Sequence, residues 1–173
     1  MRVGILATGP SMSQAVADRV RETCDAVIAV NTAYELAPWA DALAANDNSW
    51  WRKNPQAKDF AGRKYSGGVI NGVERITSPF ISAQSSSGVL ALSATEFIAA
   101  LRGEPLEVVE LHGFDNHGTH YFGPYTELRN TRPERFAVFE QQLAAVGASM
   151  NKRGIRIVNK TPGSALTCFP FEG

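Results

Sequence analysis

A short apolar run from Arg2 to Ala7 is cut off by Thr8-Gly9-Pro10-Ser11 and followed by a helix-like segment from Met12 to Glu22. Strand, sharp turn and helix in so few residues leave the chain little choice but a β-α unit feeding a layered α/β fold. Such a turn aims backbone N–H groups and a helix N-terminus at whatever lies above the strand end, which is an anion-binding geometry with nucleotide phosphate as its usual occupant. The same residues also serve as a plain helix entrance with Ser11 or Ser13 as N-cap, and both readings stay open at this point.

The next segments repeat the alternation. Ala15, Val16, Arg19 and Val20 give the first helix a modest apolar face, and Ala26 to Val30 reads as a fully buried strand. Leu36 to Ala40 is a helical or turn piece stopped by Pro38, and Asp41 to Ala45 is a third short strand. Asn31 follows one strand and Asn46-Asp47-Asn48 the other. In a parallel sheet the carboxyl ends of strands face the ligand crevice, so Asn31 and Asp47 are recognition candidates as well as turn and cap residues. Trp50-Trp51 is expected to divide its labour, one ring in the core and one partly wet.

From Arg52 to about Ser82 the pattern becomes a loop-rich insertion with scattered lysines and arginines and one or two short strands, one of them near Val73 to Thr77. Order returns at Ser85-Ser86-Ser87-Gly88, a capping run before Val89, Leu92, Ala94, Phe97, Ile98 and Leu101 at helical spacing, ended by Gly103. This run is the second candidate anion or ribose site.

Leu106 to Leu111 is a strand that empties into His112 to Phe122, where all three histidines lie with Asp115 and Tyr121. Imidazole suits general base work near neutrality, and loop spacing of Asp115, His117 and His120 gives no fixed metal geometry. A polar connection carrying Arg129 and Arg132 leads to an amphipathic helix from Pro133 to about Arg153, with Phe136, Phe139, Leu143 and Val146 in one stripe. Ile155 to Asn159 is the last strand, and Thr161 to Leu166 is again a polar turn at a strand exit.

The expected architecture is therefore an α/β, Rossmann-like, doubly wound fold over residues 1–173, with a mainly parallel sheet and helices on both faces. Seventeen basic residues balance seventeen acidic ones, so net charge indicates neither nucleic acid nor an anionic membrane as partner. No apolar segment approaches the ~18 residues of a membrane span. Met1 leads straight into the first strand without a leader pattern, and Cys24 and Cys168 are too few for a disulfide framework, which together predict a cytoplasmic chain. Homo-oligomerisation has only base rate behind it.

Gly9-Pro10-Ser11, Val30-Asn31-Thr32-Ala33-Tyr34, Ser86-Ser87-Gly88, Gly113-Phe114-Asp115 with Tyr121, and Thr161-Pro162-Gly163-Ser164 resemble, in order, the motif set of the bacterial sialyltransferases that use CMP-sialic acid. The Gly-Pro-Ser opening is shared with a wider group of proteins, many encoded by bacteriophages and prophages and the group this chain looks closest to, and with an archaeal pterin diphosphokinase family. The resemblance implies a nucleotide or nucleotide-sugar substrate with no tightly bound cofactor and no metal. It places Thr8, Gly9, Ser11, Asn31, Asn46, Ser86, Ser87, Gly113, Thr161 and Ser164 around the nucleotide, with His117 and Tyr121 near the leaving phosphate. Thr8 stands where those enzymes prefer asparagine, His117 replaces a phosphate-binding tyrosine, and the region of their catalytic histidine reads Leu128-Arg129-Asn130-Thr131 here.

The expected function is a nucleotide-binding transferase of glycosyltransferase type, with His120 or His117 as base and Asp115 beside them. Two alternatives accompany it. One is pyrophosphate transfer to a pterin-like or nucleoside substrate, with Asp47 and Asp115 holding Mg²⁺. The other is a non-catalytic binding or morphogenesis protein that retains the fold.

Overall fold

The computed structural model describes residues 1–173. Seven strands form one sheet: β1 (Arg2–Leu6), β2 (Ala26–Val30), β3 (Ala42–Ala44), β4 (Arg63–Ser66), β5 (Glu74–Arg75), β6 (Val108–His112) and β7 (Arg156–Asn159). Their spatial order is β5-β4-β3-β2-β1-β6-β7, and every pairing is parallel. The chain winds outward from β1 to β5, returns, and continues on the other side of β1 through β6 and β7. It is a Rossmann-like α/β fold, and the winding reverses between β1 and β6.

Alternation along the strands sends side chains to two separate cores. Val3 and Ile5 of β1, Ile28 and Val30 of β2, and Val109 and Leu111 of β6 pack with α3 (Ser87–Arg102) and α4 (Pro133–Asn151). Leu6, Val27, Ala29 and Leu43 point the other way, against α1 (Gln14–Thr23) and α2 (Asn48–Lys53). A fully buried leucine or isoleucine contributes about 1.5–3 kcal/mol relative to exposure, so strands sandwiched on both faces need the near-continuous apolar runs seen here.

Several local expectations shift. In α1 the buried residues are Ala17 and Val20, while Ala15 is exposed. A 3-10 turn at Asn31–Glu35 follows β2 directly, ahead of the piece expected at Leu36 to Ala40. Segment 52–82 supplies β4 as well as β5, and β5 is only Glu74–Arg75. Trp50 and Trp51 are both buried, their rings edge-on at 5.2 Å, because both join the core that holds Leu6, Val27 and Leu43 and each indole N–H finds an internal acceptor, Thr32 Oγ1 and the Ala45 carbonyl. Gly103 ends α3 in the left-handed region at φ 67°, as a C-terminal glycine does.

No helix is long and apolar enough to cross a membrane.

Candidate functional site

A cavity of about 710 Å³ opens above the carboxyl ends of β1, β2 and β6, at the reversal of the winding. In open parallel sheets this is where ligands bind. Its floor is Ala7 to Gly9 and Val30-Asn31, one wall is Gln84 to Gly88 at the start of α3, and Gly113 to His120, Tyr125, Leu128 to Arg132 and Glu134 to Phe136 close the rest.

The β1 turn is tied to the exit of β6. Gly9 N–H donates to the Gly113 carbonyl at 3.0 Å, and the Ser11 N–H and hydroxyl donate to the Asp115 carboxylate at 3.2 and 2.8 Å. A Cβ on Gly9 would lie 1.9 Å from Asp115 Oδ2 and 2.4 Å from the Gly113 carbonyl oxygen, so only glycine lets the two exits close together. Gly113 itself needs φ +72°, with Met12 packed where its side chain would go. The anion held by the Gly-Pro-Ser turn is thus a carboxylate of the chain itself. A second unit negative charge about 4 Å from it would meet a repulsion of about 4 kcal/mol at the effective dielectric of a protein surface.

The exits of β2 and β3 are joined through α3. Ser87 Oγ accepts from Asn46 N–H at 3.0 Å and donates to Asn31 Oδ1 at 3.0 Å. Asn31 adopts φ +48°, a conformation asparagine tolerates better than most residues, and its Nδ2 group has no partner in the chain. Ser86 is the N-cap of α3, accepting from Val89 N–H. Asn46 lies off the cavity wall: its amide spans the Ser82 and Ser85 carbonyls and accepts from Gly67 N–H, holding the 67–85 segment in place. Asp47 lines the cavity but caps α2, accepting from the N–H and hydroxyl of Ser49.

The three histidines separate. His112 is the last residue of β6, buried beside Glu110 at 3.3 Å and away from the cavity. Burial depresses its pKa more than the neighbouring carboxylate raises it. His117 lines the cavity with its Nε2 near the Gly163 carbonyl. His120 also lines it, with Nδ1 2.9 Å from Thr8 Oγ1 and its ring stacked on Phe122 at 4.9 Å and 8°. Burial lowers its pKa below the ordinary histidine value, so the ring is neutral near pH 7.

Tyr121 points away from the cavity and donates to the Thr32 carbonyl, and burial pushes its phenol up to about 12. Thr161 is buried, accepting from Phe114 N–H, and the Ser164 hydroxyl donates to the Phe114 carbonyl. Both brace the β6 exit from behind. Of the residues singled out from the sequence, Thr8, Gly9, Asn31, Asp47, Ser86, Ser87, Gly113, Asp115, His117 and His120 line one cavity, while Ser11, Asn46, Tyr121, Thr161 and Ser164 support it.

The remaining wall was not singled out as a site in the sequence. Tyr125, Arg129, Arg132, Arg135, Phe136 and Phe139 all line the cavity. Phe136 and Phe139 belong to the apolar stripe of α4, but only Leu143, Val146, Gly147 and Met150 of that helix are buried. The first turns of α4 overhang the cavity instead of the sheet, so the same periodicity that marks a core face here also supplies an open wall.

No family model, curated protein or solved structure matches the chain.

Proposed function

We propose that this protein is a nucleotide- or nucleotide-sugar-binding transferase of glycosyltransferase type, with the β1–β6 cavity as its site. The observation that carries the proposal is the convergence of ten polar, glycine and histidine positions, from five separate strand and helix ends, on one cavity at the reversal of a parallel sheet.

His120 is the better base than His117. Thr8 orients its ring through Nδ1, and the second nitrogen, Nε2, has no partner within the chain. In sugar transfer, Nε2 takes the proton of an acceptor hydroxyl as its oxygen bonds to the anomeric carbon. The bond from that carbon to the nucleotide's phosphate oxygen breaks, and the nucleotide leaves with the electron pair. Asn31 Nδ2 and the Ser86–Gly88 segment offer donors for ribose or base. The magnesium-dependent alternative would use Asp47 and Asp115, which are already engaged by Ser49 and Ser11.

Isothermal titration with CMP, CDP, UDP and GDP, with and without EDTA, tests the proposal. At least one nucleotide is expected to bind with a Kd below about 1 mM in the presence of chelator. Absence of binding by all four at millimolar concentration overturns it.

A further inference from the structure

We infer that the anionic part of the ligand is bound by Arg129, Arg132 and Arg135 on the α4 side of the cavity, and not by the Gly-Pro-Ser turn. This deepens the proposed function and rests on the β1–β6 cavity being the ligand site.

Two independent observations carry it. The first is that the turn is taken. Ser11 gives both its N–H and its hydroxyl to Asp115, and the carboxylate sits against Gly9 with no room for another atom between them. A phosphate placed there would compete with a carboxylate for the same donors and face its charge.

The second is the disposition of the arginines. They recur every third residue across the start of α4 and line the same cavity. None pairs with a carboxylate, whereas Arg2, Arg63, Arg102, Arg153 and Arg156 each do. Arg135 is held in place by donating to the Gln84 carbonyl and by lying 5.2 Å over the Phe139 ring. The Asn130 side chain closes the loop beside Arg129 with bonds of 2.7 and 2.9 Å to the Tyr125 backbone. Glu134 is the lone carboxylate between Arg129 and Arg135, and Glu127 just before them is paired with Lys53 and does not line the cavity, which leaves a net charge of +2 on this wall from three guanidinium groups and one carboxylate. Guanidinium forks bind phosphate oxygens in pairs and carry their charge at every working pH.

The ligand chemistry is therefore a mono- or diphosphate ester whose phosphate end points to α4 and whose uncharged end reaches Asn31. Asp115, with its oxygens partly committed to Ser11, faces a hydroxyl or amino group of that ligand.

Titration of the whole chain in low-salt buffer with inorganic pyrophosphate tests this apart from any nucleotide. Wild type is expected to bind one pyrophosphate saturably, the R129Q/R132Q variant about tenfold or more weakly, and Ser11→Ala within about twofold of wild type. Both arginines are exposed, so their replacement leaves the core intact. No saturable binding, unchanged binding in R129Q/R132Q, or a loss confined to Ser11→Ala each overturns the inference. A parallel titration with CDP separates it from the proposed function. Arginine-dependent pyrophosphate binding without CDP binding keeps the anion site and removes the nucleotide. CDP binding that ignores R129Q/R132Q keeps the nucleotide and removes the anion site.

Discussion

His120 shows how much one residue's chemistry depends on its surroundings. Its ring stacks on Phe122, meets Tyr125 at a tilt of 57°, and reaches Thr8 through Nδ1. Desolvation disfavours the imidazolium, so the folded-state pKa lies below the ordinary value of about 6.5. The sign follows from linkage: between the lowered folded value and 6.5 the unfolded chain binds more protons, so this residue's contribution to stability is full above about pH 6.5 and is lost as pH falls toward the folded value. An NMR titration is expected to place the His120 ring transition below 6.5. If the protein transfers a group with His120 as base, the acid limb of kcat/KM follows the same transition, whereas a midpoint at or above 6.5 would contradict the burial argued here.

The α3 helix is the element on which the cavity depends most. Its apolar face is read directly from helical spacing, and Val89, Leu90, Leu92 and Ile98 are buried. Its serines do different things at adjacent positions. Ser86 closes the helix end, while Ser87 links Asn31 to the backbone of Asn46 across two strand exits. Ser86→Ala is expected to lower stability by about 1 kcal/mol in urea denaturation, the usual cost of an N-cap. Ser85, one residue earlier, bonds the Phe80 carbonyl and Ser82 N–H, and gives the serine run a third role that composition alone could not assign.

At the scale of the whole molecule, the sheet reverses between β1 and β6, and the two exits are held together across that reversal by Gly9, Gly113, Ser11 and Asp115. These contacts join the two halves of the winding where the cavity opens, so Gly9 holds the two exits together as well as lining the cavity. Gly9→Ala forces a methyl group into the Asp115 carboxylate and the Gly113 carbonyl. Overpacking of this kind costs about 1–3 kcal/mol, and the chemical-denaturation midpoint is expected to fall accordingly. A midpoint equal to wild type would mean that the exits are not packed as described.

The sequence by itself determined the alternation of elements, the parallel character of the sheet and the clustering of polar residues at strand exits. These properties are local: a buried strand needs an unbroken apolar run, a helix start needs a cap, and a crossover needs length. It also named Thr8, Gly9, Asn31, Ser87 and His120 as candidates, since each follows a recognisable strand or opens a helix. Only the tertiary structure decided which of these share a cavity, because Ser11 and Asp115 are 104 residues apart and neither shows its partner in its neighbours. It likewise buried both tryptophans, moved His112 onto a sheet face, and turned the Phe136–Phe139 stripe and its neighbouring arginines toward open space. Helical periodicity reports which side chains share a face, and the packing of distant segments decides whether that face meets a core or a ligand.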